Sequence, residues 1–269
     1  MKNVKLKQAG RIRAGIGGWV YAPWRNNFYP HGLVQKRELD YASRHVTAIE
    51  VNGTWYGAQK PASYARWRDE TPDDFVFSAK APMRITMSRT LAKSGGAIDD
   101  FLGGIATLGA KLGPIVWQFE KEWKIDRDAF SAFLSQLPKR IAELKLRHVL
   151  DVRDPAFIDA AYIALAREHG MATVFTDSEE HPSFADLTAD FVYARLMRSR
   201  NEIATGYPDG ELDQWRDHAR SWASGGDPAD LPHLGSSQAT SGKRDVFVFF
   251  IASAKERNPA AAMALLERL

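Results

Sequence analysis

Eight short apolar runs alternate with helix-like stretches along this chain of 269 residues. An alternating order of strands and helices favours a parallel sheet with helical crossovers over a sandwich. Eight such units need about 250 residues as one closed barrel, so the length fits a single domain. The predicted strands are Arg13–Gly18, Ala48–Asn52, Phe75–Lys80, Ile115–Gln118, His148–Val152, Thr173–Thr176, Phe191–Leu196 and Val246–Ile251. The pattern therefore predicts one (β/α)8 TIM-barrel-like domain of the α/β class over residues 13–269.

Apolar residues at helical spacing predict helices between these strands. The predicted helices are Leu33–His45, Ala62–Glu70, Asp99–Leu112, a helix opened by Asp126, Ile158–His169, a short helical turn near Phe184–Leu187, Glu211–Ala223 and Pro259–Leu269. Two segments do not fit this rhythm. Residues 1–12 form a basic N-terminal extension, and residues 224–243, rich in Gly, Ser, Asp and Pro, predict a flexible surface insertion at the face opposite the strand C-termini.

Composition restricts the chemistry and the compartment. The chain has no cysteine, which excludes disulfides, thiolate metal sites and a thiol nucleophile and is typical of a cytoplasmic protein. Neither a signal peptide nor an apolar run of membrane length is visible, so no membrane association is expected. The net charge of +3 and a pI near 9.0 permit an anionic ligand but are too small to argue for nucleic acid. The oligomeric state stays open.

Glu50 and Asn52 are the most specific polar residues of the pattern. The period of two puts them on one side of their strand, with Ile49 and Val51 on the other. Because Ile49 and Val51 suit the helix side, Glu50 and Asn52 are expected inside the barrel near its C-terminal mouth. A buried Glu either pairs with a cation or has a raised pKa and acts as a general acid or base. A structural ion pair of Glu50 with Lys80 or Arg153 is the alternative.

Other strands also end in polar residues, and a barrel keeps its chemistry at that end. Three cations and two anions would meet there, and surplus positive charge in a concave site favours an anionic ligand held by arginine. A self-neutralising core network is the alternative. The candidate catalytic residues are Glu50, Lys80 and Asp151, and the candidate ligand-binding residues at strand ends are Asn52, Gln118, Arg153 and Arg195.

An aromatic loop follows the first strand, from Trp19 to Pro30. Aromatic faces with an interleaved Arg25 can stack on a sugar, a base or another planar group. Trp19 and Tyr21 leave the strand directly and are therefore the candidate stacking wall. The alternative is that the rings cover the barrel without touching a ligand.

Neither a cofactor nor a metal is predicted. The sequence contains no phosphate-binding glycine loop, no G-x-S-x-G elbow and no H-E-x-x-H motif. Residues 177–181, Asp-Ser-Glu-Glu-His, could hold a divalent ion, but a solvated acidic loop is the simpler interpretation. Lys80 is the one visible candidate for covalent catalysis.

Several motifs together resemble the domain-of-unknown-function 72 (YecE-like) family over nearly the whole chain after about Arg13. The resemblance implies a (β/α)8-like barrel of unassigned activity. The motifs are Gly17-Gly18-Trp19-Val20-Tyr21 with Trp24 and Phe28-Tyr29-Pro30, Glu50-Val51-Asn52-Gly53-Thr54-Trp55-Tyr56, Phe77-Ser78-Ala79-Lys80-Ala81-Pro82, Leu112-Gly113-Pro114-Ile115-Val116-Trp117-Gln118, Asp151-Val152-Arg153, Arg195, and Tyr207 with Trp215.

The chain departs from the family pattern at several positions near the strand ends. The family usually has histidine where this chain has Met87 and Met197, and glutamate where it has Asp151. An Asn-rich end near the eighth strand is replaced by residues 251–253, Ile-Ala-Ser. Loss of both imidazoles removes the usual proton carriers near neutral pH, which implies a different ligand or a lost activity.

The leading hypothesis is an enzyme-like barrel that binds a small anionic or sugar-like ligand at the mouth. In it Glu50 carries a proton, Lys80, Arg153 and Arg195 clamp charge, and Asn52 and Gln118 orient the ligand. One alternative is a metal-dependent nucleic-acid-processing barrel, which rests only on the pI and the aromatic residues. Another is a non-catalytic binding or scaffold protein, favoured by the missing imidazoles.

Overall fold

Eight parallel strands close into a barrel in a computed structural model that describes residues 10–122, 124, 126–235 and 242–269. Every strand pairs with the next one along the chain, and the last pairs with the first. The predicted TIM-barrel-like α/β fold is therefore confirmed. The strands are β1 Ile12–Gly17, β2 Ala48–Val51, β3 Val76–Lys80, β4 Leu112–Phe119, β5 His148–Val152, β6 Ala172–Asp177, β7 Phe191–Leu196 and β8 Asp245–Phe250.

Helices cover most of the outside of the barrel. Short 3₁₀ turns supplement them at Ala22–Trp24, Gln35–Arg37, Leu91–Lys93, Ala106–Lys111, Pro155–Phe157 and Lys255–Arg257, and Arg140–Ile141 with Leu144–Lys145 forms a small antiparallel hairpin. None of the described helices is both long and apolar enough to cross a bilayer. The helices are α1 Glu38–Ala42, α2 Gly53–Tyr56, α3 Pro61–Glu70, α4 Met83–Thr86, α5 Gly95–Ile105, α6 Arg127–Leu134, α7 Ala160–His169, α8 Asp209–Ala223 and α9 Asn258–Arg268.

Two predicted helices are shorter than expected. The helix predicted over 33–45 is reduced to α1 behind a 3₁₀ turn, since its flanking residues lack a buried face. The helix predicted over 99–112 ends at Ile105 and continues as the 3₁₀ segment Ala106–Lys111, which Gly109 interrupts with a positive φ of 58°.

No helix forms between β6 and β7, where a turn near Phe184–Leu187 was predicted. Residues 178–190 run in irregular conformation, and the chain beyond α8 lies against them. The N–H of Ala185 donates to the carbonyl of Pro232 (2.7 Å), and the carboxylate of Asp186 accepts from the N–H groups of Leu234 and Gly235 (2.7 and 2.9 Å). The described part of the predicted insertion thus takes the place of a helix, and residues 236–241 lie outside the described residues, as do residues 1–9 of the basic extension.

Alternate residues of the strands face opposite sides of the sheet, as predicted, and form two apolar layers. Inward side chains such as Val76, Val116, Tyr193 and Phe249 fill the barrel, while a larger set packs between the strands and the helices. Aromatic rings inside the barrel leave little space for side chains opposite them. The strand ends on the same inward side carry Glu50, Lys80, Gln118, Asp151 and Arg195, so the interior changes from apolar to ionic toward the mouth.

Gly15 lies in β1 where the neighbouring backbone of β2 and the ring of Phe249 leave no space for a side chain. A Cβ atom at Gly15 would lie 2.1 Å from the carbonyl oxygen of Ala48 and 3.1 Å from a ring atom of Phe249. We predict that Gly15→Ala lowers the free energy of unfolding by about 1–3 kcal/mol through overpacking. Gly103→Ala is the matched control, because Gly103 lies in α5 and a methyl group there would have no neighbour within 4 Å, and the change should raise stability by about 0.5–1 kcal/mol. Urea unfolding of both variants measures the difference, and equal effects would contradict this packing.

Candidate functional site at the barrel mouth

A buried ion pair between Glu50 and Arg195 closes the barrel below its mouth. Arg195 donates from Nε to Glu50 Oε2 (2.9 Å) and from a terminal nitrogen to Oε1 (3.1 Å), which is a two-point contact. Tyr193 Oη donates to the same Oε2 (2.6 Å) and also contacts the Ser78 hydroxyl at 2.8 Å. Glu50 and Arg195 are 0% and 1% exposed. The expected structural pair of Glu50 with Lys80 or Arg153 is wrong in its partner, since Arg195 fills that role.

Asp151 completes this floor from β5. Its Oδ2 accepts a short hydrogen bond from Arg195, so the guanidinium is shared between two carboxylates from different strands. Burial acts to raise the pKa of Asp151, but the charges of Arg195, Arg153 and Lys80 outweigh it and hold that pKa below its usual value. Asp151 is therefore ionised at neutral pH.

Arg153 lies one layer above the floor and is held less completely. One of its terminal nitrogens contacts Gln118 Oε1 (3.1 Å) and Asp151 Oδ2 (3.4 Å), while the other lies 3.9 Å from Glu120. The buried Nε of Arg153 has no hydrogen-bond partner in the described chain. Gln118 in turn donates to Glu120. Arg153 thus keeps an unsatisfied donor at the mouth.

Lys80 ends β3 at the same level and is 9% exposed. Its ammonium lies 4.2 Å from the centre of the Trp55 ring. Within the part of the chain that the structure describes, no acceptor or carboxylate pairs with this ammonium. Burial, and after it the positive charge of Arg195, lowers the pKa of Lys80 to about 8. The hydroxyl of Thr54 contacts the carbonyl oxygen of Lys80 (2.6 Å), which ties the end of β3 to α2.

The mouth contains two charged or titratable groups that sequence reasoning did not assign to it. Glu120 follows β4, and His181 reaches Arg153 from the irregular segment after β6, at 3.2 Å between His181 Nε2 and Arg153. Burial and Arg153 lower the pKa of His181, so its ring is neutral at pH 7. An imidazole is therefore present although Met87 and Met197 occupy the positions where the family usually has histidine. The candidate divalent-ion loop does not keep its groups free, since Asp177 pairs with Arg198 (2.9 Å).

The predicted surplus of positive charge is absent once Glu120 is counted. Three cations (Lys80, Arg153 and Arg195) face three carboxylates, those of Glu50, Asp151 and Glu120. The six groups of the floor and the layer above it therefore neutralise one another, while the donors without acceptors lie above the floor. Overall charge is not what would draw a ligand to this site.

Asn52, Trp19 and Tyr21 differ in how close they lie to this cluster. Asn52 is half-buried at the rim, with its side-chain nitrogen 3.5 Å from the carbonyl oxygen of Glu50. Trp19 instead packs edge-on against Trp67 (4.9 Å) on the helix side of β1.

Tyr21 lies beside the segment after β8. Its hydroxyl donates to Glu256 (3.1 Å), and the Lys255 ammonium lies 4.4 Å from the centre of its ring. The structure therefore does not bring Trp19 or Tyr21 together with the ionic cluster. Other rings of the loop cover the barrel: Trp24 is fully buried and donates to the carbonyl of Lys255 (2.8 Å).

The fold and the site define a class: a (β/α)8 barrel with an ionic floor and a polar mouth at the C-terminal ends of its strands. Within that class, a family model described as "Protein of unknown function DUF72" matches residues 13–269. The chain belongs to the DUF72 family, as its motifs indicated.

Similar proteins agree with this assignment. The chain is 29% identical over 147 residues to the UPF0759 protein YecE of Escherichia coli strain K12, which is 54% of this chain and 50% of that protein. The chain thus spans about half the length of the curated relatives it matches. A DUF72 family protein from Thermotoga maritima has a similar structure, with a TM-score of 0.70 at 17% identity, covering 96% of this chain and 98% of the other. One from Enterococcus faecalis V583 gives 0.67 at 16% identity, covering 97% and 98%. At these identities the likeness concerns the fold.

Removal of Arg195 should be strongly destabilising, because it leaves the Glu50 and Asp151 carboxylates buried without their shared cation. We predict that Arg195→Met lowers the free energy of unfolding by about 3–5 kcal/mol. Arg200→Met is the control, since Arg200 is 42% exposed and pairs with Glu211 on the surface, where such pairs contribute about 0–1 kcal/mol. Denaturant unfolding at pH 7 compares the two, and similar losses would refute the floor assignment.

Lys80 should lower stability at neutral pH. Its pKa is depressed in the folded state, so the unfolded chain binds more protons between about pH 8 and 10.5 and stability rises over that window. At about 1.4 kcal/mol per pKa unit the effect is at most about 3.5 kcal/mol. Lys80→Met should therefore be more stable than wild type below pH 8, with the gain shrinking toward pH 10.5. Urea titrations at pH 7, 9 and 10.5 measure this, and a gain that does not change with pH would contradict it.

Proposed function

We propose that the barrel mouth binds a small anionic or sugar-like ligand and that the protein acts on it as an enzyme. The observation that carries this proposal is the contrast between two layers. In the floor, the hydrogen-bonding groups of Glu50 and Arg195 are satisfied by one another and by Asp151 and Tyr193. Above it, the Lys80 ammonium and the Arg153 Nε have no protein acceptor in the described chain. Buried donors without acceptors cost about 1–3 kcal/mol each, so an oxygen-rich ligand would stabilise the site.

The proposed roles follow from this layering. Arg153 is the ligand anchor, because its buried Nε has no protein acceptor and its contacts with the carboxylates of Asp151 and Glu120 are long. Gln118 and His181 hold its terminal nitrogens. Gln118 and Asn52 are the orienting residues beside it. Glu50 is a positioning residue that fixes Arg195, since both its oxygens are engaged and it is fully buried. Lys80 is the reactive group of this proposal, with Asp151 supporting its charge balance.

Trp19 and Tyr21 have no role in this proposal. Their contacts lie with Trp67 and with Glu256 and Lys255, away from the ionic cluster. The cleft beside Trp19, about 450 Å³ and lined also by Leu39 and Trp67, is separate from the mouth.

The test is a thermal-shift screen with small carboxylates, phosphate esters and monosaccharides at low salt. A ligand of the mouth should raise the melting temperature of the wild type. Because a hydrogen bond to a charged group contributes about 1.5–3 kcal/mol, Arg153→Met should weaken its binding about tenfold or more. Arg198→Met is the control, since Arg198 is a half-exposed arginine at the same end of the barrel that pairs with Asp177. Equal responses of both variants to every hit would refute the proposed site, and salt-sensitive binding of DNA or RNA by all three proteins would favour the nucleic-acid alternative.

A further inference from the structure

We infer that Lys80 is a nucleophilic amine and that the ligand of the mouth is a small aldehyde or ketone bearing an acidic group, with which Lys80 forms an imine. This inference rests on the proposed function and specifies its substrate class. The inference is drawn from the combined surroundings of Lys80, which are the ring of Trp55 and the charges of Arg195 and Arg153.

The surroundings of Lys80 suit a reactive amine better than an anion anchor. An anchor needs a firm positive charge, yet this amine is buried beside Arg195 and has no carboxylate within ion-pair distance in the described residues. Burial and a neighbouring cation are the two means by which proteins keep a lysine in its uncharged, nucleophilic form. A positive charge near Lys80 is already supplied by the guanidinium of Arg153.

The geometry also fixes the position of the amine. The side chain of Lys80 lies along the ring of Trp55, which comes from α2, and the backbone of Lys80 is held by the Thr54 hydroxyl. The amine therefore stands at a fixed position at the end of β3, above the floor. Because Arg153 is close enough for its charge to act on Lys80, a carboxylate or phosphate attached to a carbonyl carbon at Lys80 would lie on the side of Arg153.

The chemical step balances without a co-reactant. The nitrogen lone pair of neutral Lys80 attacks the carbonyl carbon, the C–N bond forms, and the electron pair of the C=O bond moves to oxygen, which takes a proton. A second proton transfer lets the C–O bond of the carbinolamine break and releases water, which leaves the imine. His181 is neutral and lies beside Arg153, so it is a group at the mouth that can accept and return these protons.

The experiment traps the imine with sodium cyanoborohydride. Wild type is incubated with glyoxylate, an aldehyde that carries a carboxylate, and separately with acetaldehyde, which has no charge. Peptide mapping by mass spectrometry should place one reduced adduct on Lys80, formed at least ten times faster than on the exposed Lys93. The rate should rise with pH through about 8 as the amine loses its proton. Lys80→Arg should lose the adduct while keeping a positive charge.

A second arm separates this inference from the proposed function. Arg153→Met should slow trapping of glyoxylate about tenfold and leave acetaldehyde unaffected, because only glyoxylate carries the acid group. Glycolate, which has the carboxylate but no carbonyl, should bind in the thermal-shift assay and compete with glyoxylate. Adducts spread over exposed lysines with Lys80 unmodified would overturn the imine. If glycolate still bound in an Arg153-dependent way, the proposed function would stand, and if it did not, both would fall.

Discussion

The two-point contact of Arg195 with Glu50 is the interaction on which the mouth depends. Both groups are almost fully buried, and taking two charges out of water costs several kcal/mol per ion unless the geometry and further hydrogen bonds compensate. Here Tyr193 and Asp151 supply those further contacts from β7 and β5. Because the partners come from three strands, the pair also fixes the relative positions of opposite sides of the barrel. This floor carries one net negative charge, from two carboxylates and one guanidinium, and the layer above offsets it with Lys80 and Arg153 against Glu120.

The layer above the floor, in contrast, has donors that lack hydrogen-bond acceptors. Arg195 exerts its field on Lys80 but offers it no hydrogen bond, and Asp151 is largely committed to Arg195. Arg153 has only long contacts to carboxylates, and its Nε faces none. A fold selected for stability alone would gain by replacing a buried, unpaired lysine with an apolar residue of similar length. The presence of Lys80 in this position is the observation that supports the proposal of a ligand at the mouth.

The sequence predicted the strands and their inward faces well, because a period of two and the closed order of the barrel fix both. Glu50, Lys80, Gln118, Asp151, Arg153 and Arg195 meet for that reason. A period of two predicts side-chain directions only while the chain stays extended. Trp19 lies only two residues beyond β1, yet the chain has turned through Gly18 at a φ of 74° and the ring packs outside the barrel. Glu120 directly follows β4 and lies two residues after Gln118, so the period of two could have placed it on the inward side. His181 lies in an irregular segment where no pattern could place it, although the Asp177–His181 motif named it for a different role.

The missing helix between β6 and β7 has a consequence for how the chain acquires its structure. Asp186 has its carboxylate satisfied by the N–H groups of Leu234 and Gly235, which lie almost fifty residues further along the chain. During synthesis from the N-terminus, the flank of β6 therefore stays uncovered until that later segment has left the ribosome. Residues 232–235 thus cover this side of the barrel only late in synthesis, shortly before β8 and α9 complete the fold.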